Sequence, residues 1–251
     1  MRERDLVGRE GLFVAEGEVV LRVLARSPLA VAQSLLLAEK RVDALWDLIE
    51  DLPDETPVYA ASQAVMDQIV GFPIHRGILA LGRRRAEPSA NELLSVLPDD
   101  ALVLVLCGIS NHDNMGGLFR NAAAFGADAL LLDQTCCDPL YRKAIRVSVG
   151  ATLIKPFARL NEQEDPLGLL TAHGFEALAL SPRGAVDLAD AMRARRTAGM
   201  VGAEGPGLPE AVLKRAKAVR IPMADGFDSL NVAVTAGVVL HHLAFVARRG
   251  L

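Results

Sequence analysis

The sequence predicts an α/β protein with two domains, in each of which helices cover a β-sheet. Two observations favour this class: 51% of the 251 residues are apolar but only 4% are aromatic, and short aliphatic runs alternate with segments of helical periodicity. Aliphatic strands separated by helices indicate a parallel sheet that is covered on both faces. The chain is long enough for one large domain or two modest ones.

The first 82 residues alternate strand and helix signals and predict a small α/β domain. Short aliphatic or β-branched runs predict its strands, and spaced apolar residues predict its helices. The predicted strands are 13–15, 35–37, 57–60 and 78–81, and the predicted helices are 18–24, 42–52 and 63–69. We place the end of this domain at residue 85, within the charged segment 82–90 that contains Pro88.

A second, longer alternation follows and predicts the larger domain. Ser89 and Glu92 form a capping box that opens its first helix, so we assign 86–98 to a linker with this helix and 99–251 to the domain. The predicted strands are 102–106, 129–132, 153–156, 177–180, 200–201 and 219–221, with helices between them and a last helix over 230–248.

Composition narrows the classes of function. The apolar run 101–107 is far shorter than the ~20 residues that a membrane span needs, and the mixed charge of residues 1–5 predicts no secretory signal. Cys107, Cys136 and Cys137 lack C-x-x-C spacing, so we expect reduced thiols in a cytoplasmic protein. We predict no metal site, no membrane partner and no DNA partner.

Charge does not decide whether the protein binds RNA. The net charge of −4 argues mildly against it, but a protein that makes a few focused phosphate contacts need not be basic overall. The basic runs 83–85, 193–196 and 214–220 are compatible with solvated surfaces and with phosphate contacts.

Three segments of the second domain place glycines and polar residues after predicted strands. They are Asn114-Met115-Gly116-Gly117-Leu118-Phe119-Arg120-Asn121-Ala122, then Val201-Gly202-Ala203-Glu204-Gly205-Pro206-Gly207-Leu208, then Ile221-Pro222-Met223 with Ser229-Leu230-Asn231 five residues later.

Taken singly, these segments read as ordinary turns between strands and helices. Asn114 stands at a helix N-cap position, and Arg120 follows near a helix N-terminus, which attracts anions. Glu204 needs a partner if it is buried, and Arg120 is the predicted one. Ser229 is the predicted cap of the last helix, with Asn231 in its first turn.

Together and in this order, the segments resemble the three motifs of the SpoU (TrmH) RNA 2′-O-ribose methyltransferases, which belong to the SPOUT class. The resemblance extends from residue 102 to the C-terminus. It is most specific at Asn114, Arg120, Glu204, Ser229 and Asn231. Residues 13–17 and 75–80 resemble the small ribosomal-protein-like substrate-binding domain that many members carry in front. Residues 110–113 (Ser-Asn-His-Asp) depart from the family pattern, which leaves the RNA preference open.

The resemblance implies a trefoil-knotted C-terminal α/β domain with a parallel sheet, a homodimer and S-adenosylmethionine as cofactor. By position, the cofactor pocket would include Gly202, Ile221, Met223 and Leu230, with Ser181 as a weaker candidate. Arg120 would act at the reacting oxygen and Asn114 would orient it, while Glu204, Ser229 and Asn231 would hold the RNA and the arginine. The expected reaction is 2′-O-ribose methylation of a structured RNA, with rRNA favoured over tRNA.

Two alternatives compete with this interpretation. A Rossmann-type nucleotide-binding enzyme would use Asp133 at the end of the second strand, but the G-x-G-x-x-G fingerprint is absent. A non-catalytic RNA-binding module would keep the fold and lose turnover. The intact set of five polar residues argues against that loss.

Overall fold

The structure is a computed structural model that describes residues 7, 11–70, 76–227 and 229–247. The chain forms two units, each built around a β-sheet. The first comprises Met1–Ala86 with Asp138–Ile154, and the second comprises Glu87–Cys137 with Lys155–Leu251. Residues 1–5, His75 and Arg248, on which predictions were made above, lie outside the described residues. None of the described helices is long and apolar enough to cross a membrane.

The described strands and helices alternate along the chain, as an α/β class requires. The strands are β1 (Leu12–Glu16), β2 (Ala30–Ala38), β3 (Val58–Ala61), β4 (Ile78–Arg84), β5 (Ala101–Leu106), β6 (Ala129–Leu132), β7 (Phe157–Arg159), β8 (Glu176–Leu180), β9 (Val186–Asp187), β10 (Arg196–Val201) and β11 (Lys217–Arg220). The α-helices are α1 (Glu18–Ala25), α2 (Trp46–Glu50), α3 (Gln63–Val70), α4 (Ala90–Ser95), α5 (His112–Ala124), α6 (Arg142–Val147), α7 (Pro166–Ala172), α8 (Glu210–Arg215) and α9 (Val232–His241).

The first unit contains a four-stranded sheet in the order β1-β4-β2-β3. Strand β4 is antiparallel to β1 and β2, and β3 is parallel to β2 at the edge. The single helix predicted over 42–52 is wrong: 3₁₀ turns at Glu39–Arg41 and Asp43–Leu45 precede the short α2. The buried residues Leu45 and Leu48 are three positions apart, a spacing that suits 3₁₀ turns.

Segment 138–154 groups with the first unit, although the sequence places it in the 99–251 domain. Its residues Leu140, Ile145 and Leu153 belong to the buried cluster that contains Phe13 and Leu21. The predicted strand at 153–156 is wrong for the same reason. Leu153 lies in a 3₁₀ turn and is buried in that cluster, and the next strand, β7, begins at Phe157.

The second unit contains a seven-stranded sheet in the order β7-β6-β5-β10-β8-β11-β9, and every recorded neighbouring pair is parallel. The predicted α/β class with a parallel sheet and a smaller α/β domain in front is confirmed. The predicted capping box is also present, because Ser89 Oγ accepts from Glu92 N at 3.2 Å and Glu92 Oε2 accepts from Ser89 N at 2.8 Å. That the loops thread through one another as a trefoil knot stays a prediction.

Candidate active site

Three neighbouring strands end at the same edge of the large sheet. Because β10, β8 and β11 are adjacent and parallel, the residues that follow them, Gly202, Ser181 and Ile221, lie side by side at spacings of about 4.8 Å per strand. Ligands bind at such carboxyl edges in open α/β sheets. A cavity of about 440 Å³ lies at the opposite edge, where β8 and β11 begin, so it is separate from the candidate site.

A tight loop, residues 202–208, follows β10 at this edge. Gly207 N donates to Ala203 O at 3.0 Å, and Gly205 and Gly207 have φ angles of +86° and +69°. A Cβ at Gly202 would lie 2.2 Å from the backbone carbon of Gly207. The backbone therefore folds back onto Gly202, and only glycine fits there.

Hydrogen bonds join three of the predicted site residues. Asn114 Nδ2 donates to Glu204 Oε1 at 2.6 Å, and Asn231 Nδ2 donates to the same oxygen at 3.2 Å and to Asn114 Oδ1 at 2.8 Å. Asn114 is 7% exposed, so its amide needs these partners. The network connects the first turn of α5, the loop after β10 and the start of α9.

The structure corrects both predicted helix caps. Asn111, not Asn114, caps α5, because its Oδ1 accepts from Asp113 N at 2.7 Å and from Asn114 N at 3.3 Å. Asn231, not Ser229, caps α9, because its Oδ1 accepts from Ala233 N at 2.9 Å and from Val234 N at 3.3 Å. The last helix consequently starts at Val232, and after His241 it continues as a π-helix, His242–Val246.

Arg120 does not pair with Glu204, which corrects the predicted ion pair. Glu204 accepts from the two asparagines instead, while Arg120 is exposed and makes no hydrogen bond or ion pair with any described residue. As the ninth residue of α5, Arg120 lies about 12 Å along the axis from the first. The charge of the helix N-terminus falls off within the first turn, so it does not act at Arg120.

The remaining predicted residues lie in the loop that follows β11. Ile221 and Met223 are half-buried, Ser229 is exposed, and Leu230 is 44% exposed. This loop leads directly into the Asn231 cap. The structure therefore brings Asn114, Glu204 and Asn231 into contact, and places Gly202 and Ile221 at one sheet edge.

The sequence did not predict the contact that holds α5 against α9. Asn121 Nδ2 donates to Ala233 O at 2.5 Å, and a Cβ at Gly117 would lie 2.8 Å from Ala233 Cβ. Gly237 faces Asn121 in the same way, at 3.2 Å from a Cβ to Nδ2. Ala233 and Gly237 are small residues four positions apart, and this spacing puts them on one face of α9. The spacing indicates a close contact with another helix, but it does not identify which helix.

The half-buried thiol of Cys107, directly after β5, does not supply a nucleophile. Burial, assisted by the nearby Asp133 carboxylate, raises the pKa of Cys107 to about 12. Because the thiolate is the reactive form, Cys107 is inert at neutral pH. Asp133 is used structurally: it accepts from Gly108 N at 2.8 Å and from Cys136 N at 3.0 Å. No cluster of metal-ligating side chains occurs among the residues that the structure describes.

The chain is similar to known RNA methyltransferases. Residues 101–241 match the family model described as the SpoU rRNA Methylase family. An uncharacterised tRNA/rRNA methyltransferase of Mycobacterium tuberculosis is 41% identical over 248 residues, 96% of this chain and 83% of the relative. The 23S rRNA (guanosine-2′-O-)-methyltransferase RlmB of Photobacterium profundum is 27% identical over 88% of this chain and 92% of that protein.

A solved structure shares the fold. The SpoU methyltransferase AviRb of Streptomyces viridochromogenes, in complex with the cofactor AdoMet, superposes with a TM-score of 0.80. The match covers 96% of this chain and 92% of AviRb at 22% identity. The predicted SPOUT-type fold class is confirmed, since the parallel α/β sheet matches this structure.

Proposed function

Because the chain belongs to the SpoU rRNA methylase family and is an S-adenosylmethionine-dependent RNA 2′-O-ribose methyltransferase, we propose that it methylates ribosomal RNA as a homodimer. The observation that carries the assignment of the site is the hydrogen-bonded group of Asn114, Glu204 and Asn231 beside the carboxyl ends of β10 and β11. Family membership excludes the Rossmann-type alternative.

Two observations support ribosomal RNA over tRNA. The similarity to RlmB, whose name gives 23S rRNA as its substrate, covers 88% of this chain and therefore includes most of the first unit. A second RNA-contacting surface raises affinity only for an RNA large enough to contact both units. We therefore assign substrate binding to the first unit and catalysis to the second, and place the enzyme in the cytoplasm with its substrate.

The residues at the sheet edge fit S-adenosylmethionine. The folded-back loop at Gly202 presents backbone groups at close range, and no described residue accepts a hydrogen bond from the backbone N–H of Ile221 or Met223. These amides suit the polar edge of an adenine, while the side chains of Ile221, Met223 and Leu230 offer apolar contact. When bound, the cofactor supplies the electrophilic methyl group on its sulfonium.

Arg120 is the proposed catalytic residue. A ribose 2′-hydroxyl is a poor nucleophile at neutral pH, and its oxygen gains negative charge as its proton leaves, which is what makes it reactive toward a methyl donor. A guanidinium stays protonated, so Arg120 stabilises this charge instead of removing the proton. An RNA phosphate or a water molecule takes the proton. Arg120 is exposed and unpaired among the described residues, so it is available to the RNA.

The hydrogen-bonded group positions the RNA beside Arg120. Glu204 and Asn114 fix the loop after β10 against α5, and Asn231 fixes the start of α9 against both. Ser229, exposed two residues before Asn231, is a proposed contact to the RNA. Holding the 2′-oxygen in line with the methyl group contributes to the rate because it removes the entropy cost of bringing them together.

An exposed apolar face of α9 supports the homodimer. Val234 and Val238, four positions apart, are 52% and 41% exposed, and Phe245 further along is 56% exposed. Phe245 also joins Phe125 and His241 in a cluster with ring centroids 5.6 to 6.4 Å apart. Such a contiguous apolar face on a protein surface marks an interaction site, and a second copy of this chain is the proposed partner.

The test is methyl transfer from tritiated S-adenosylmethionine to 23S rRNA, 16S rRNA and tRNA transcripts that carry no modification. We expect label in ribosomal RNA only, at a nucleotide that then resists alkaline hydrolysis because its 2′-hydroxyl is blocked. Label confined to tRNA would contradict the proposed substrate, and label in a base would contradict the proposed site.

A further inference from the structure

Helices α5 and α9 touch at successive levels along one face of α5. Asn114, Gly117 and Asn121 are spaced by three and four residues, so they lie on the same face of this helix. At the first level, Asn114 Oδ1 accepts from Asn231 Nδ2 at 2.8 Å. At the second, the close approach of Gly117 to Ala233 brings the two backbones together.

Asn121 makes the third contact, at the far end of this face. Its Nδ2 donates to Ala233 O at 2.5 Å. A Cβ at Gly237 would lie 3.2 Å from Asn121 Nδ2 and 3.4 Å from its Cγ, so the amide occupies the space that a side chain at position 237 would take. The half-buried Asn121 is therefore fitted to both the carbonyl and the glycine of α9.

The hydrogen bonds of Asn114 and Asn121 fix α9 against α5 at two points. Seven residues separate the two asparagines, which is about 10 Å along the helix axis. A single contact would leave α9 free to pivot, and apolar contacts are not directional. Hydrogen bonds weaken steeply when they are misaligned, so the second one sets the direction of α9 as well as its position.

The two helices carry the two halves of the proposed reaction. Arg120, which precedes Asn121 on α5, is the residue assigned to the ribose oxygen. The loop with Ile221, Met223 and Leu230, assigned to the methyl donor, runs directly into the Asn231 cap of α9. The direction of α9 relative to α5 therefore sets the distance between the oxygen and the methyl group.

We propose that Asn121 is a positioning residue for methyl transfer, which acts by holding α9 in register with α5. The inference rests on the proposed function, which assigns Arg120 and the loop after β11 to the two reactants. Because the Asn121 amide is directed at α9, it contributes to the rate of the chemical step and not to the affinity for RNA or cofactor.

The experiment measures the single-turnover rate constant at saturating RNA and S-adenosylmethionine, together with the dissociation constant of each. Asn121→Asp keeps the size of the side chain but cannot donate, and Gly237→Ala crowds the Asn121 amide. We expect each variant to lower the rate constant about tenfold, since a misplacement of about 1 Å can cost about 100-fold. Both dissociation constants should stay at the wild-type values.

Thr171→Val is the matched control. It also removes one hydrogen bond from a side chain to a backbone carbonyl, that of Thr171 Oγ1 to Leu167 O at 2.8 Å, but in α7 beside the cavity at the opposite sheet edge. We expect its rate constant to equal that of the wild type. An equal loss in Thr171→Val would overturn the inference, because any lost hydrogen bond would then slow the reaction.

A double variant tests whether Asn121 and Gly237 act through the same contact. In Asn121→Ala no amide remains for a Cβ at position 237 to crowd, so adding Gly237→Ala should lower the rate constant little further. Alanine favours a helix more than glycine does, so Gly237→Ala tests the inference even if Asn121→Asp fails to fold. Losses that multiply to about 100-fold in the double variant would contradict the shared contact.

Two further outcomes would overturn the inference: wild-type rate constants in both Asn121→Asp and Gly237→Ala, or lost affinity for RNA or cofactor with an unchanged rate constant. Other results separate it from the proposed function. Transfer to tRNA alone, slowed in Asn121→Asp, would contradict the proposed substrate and support the inference. Wild-type turnover of Arg120→Lys with slow transfer by Asn121→Asp would count against the role of Arg120 alone.

Discussion

Arg120 combines two features at the residue scale: it is the predicted reacting residue, and it is unpaired among the described residues. Arg120→Lys keeps the positive charge but loses the planar fork. We expect the turnover number to fall about 100-fold, as it does when one donor to a developing oxyanion is lost. The dissociation constant of S-adenosylmethionine should not change.

The matched control for Arg120→Lys is Arg195→Lys, which alters another exposed arginine side chain of the second unit that makes no described contact. Methyl transfer in single-turnover assays separates the chemical step from product release. Turnover of Arg120→Lys near that of the wild type would show that the guanidinium geometry is unnecessary.

Glu204 accepts two side-chain amides with one oxygen, so its loss leaves both without this acceptor. We expect Glu204→Ala to lower the free energy of unfolding by about 1 kcal/mol and to reduce methyl transfer. Glu204→Gln retains an acceptor oxygen and should recover much of the stability. Urea unfolding checks the first effect, with the exposed Glu210→Ala as control. Equal stability of the alanine variant and the wild type would argue against the network.

The sequence predicted Asn114, Glu204 and Asn231 as site residues, but it did not predict that they contact one another. From the sequence, opposite charge was the one visible reason to pair two of these side chains, so an ion pair between Arg120 and Glu204 was predicted. An amide donates and accepts, so an asparagine can serve either as a cap or as a partner to a carboxylate. The choice depends on where the loops meet, which spacing along the chain does not reveal.

At the scale of elements, the loop after β10 depends on glycine at position 202. In Gly202→Ala, a Cβ would lie 2.2 Å from the Gly207 backbone carbon, so the loop must open. We expect a loss of about 1–3 kcal/mol in stability and a large loss of S-adenosylmethionine affinity, measured by thermal unfolding and calorimetry.

Gly199→Ala, in the strand β10 that precedes this loop, is the matched control for Gly202→Ala. A Cβ at Gly199 would meet Leu104 at 3.8 Å and Val239 at 4.0 Å, which are ordinary contacts. Cofactor affinity near the wild-type value in Gly202→Ala would show that this loop does not form the pocket.

The cap of α7 gives a pH-dependent prediction. Asp165 accepts from Gly168 N at 3.0 Å and pairs with Arg215 at 2.5 Å, and its hydrogen bonds to Arg215 lower the pKa of this carboxyl below its usual value. A lowered pKa in the folded state adds stability above the unfolded pKa, near 4, and this stability is lost as pH falls through the folded pKa.

We therefore expect Asp165→Ala to destabilise the protein by about 1 kcal/mol at pH 7, the typical value for a lost cap. The difference from the wild type should shrink as the pH falls below about 4, in urea unfolding at several pH values. Asp99→Ala, which removes an exposed carboxylate without a described partner, is the control. A difference that stays constant with pH would contradict the assigned cause.

The predicted elements were most accurate where a strand is buried on both faces. Strand β6 occupies the predicted range 129–132, and its four residues are all buried. The prediction failed at 153–156, because Leu153 is drawn into the core of the first unit, and at 42–52, where a short helix follows two 3₁₀ turns. The local sequence shows whether a segment is apolar, but it does not show in which of the two hydrophobic cores the segment is buried.

At the scale of the whole molecule, the exposed face of α9 predicts the oligomeric state. Val238→Glu places a charge in the middle of this face, next to Val234. We expect the variant to become monomeric in sedimentation or light-scattering measurements and to lose methyl transfer. The control Val96→Glu changes a valine that is 78% exposed at the end of α4. A wild-type monomer, or a dimer that survives Val238→Glu, would contradict the proposed interface.

The sequence by itself determined the α/β class, the parallel sheet, the family and the polar residues of the three segments, because these depend on local composition and on motifs read along the chain. Only the tertiary structure decided the partners of those residues, the caps at Asn111 and Asn231 and the placement of 138–154 in the first unit. The reason is physical: hydrogen bonds and charge balance depend on distances between segments that are far apart in sequence.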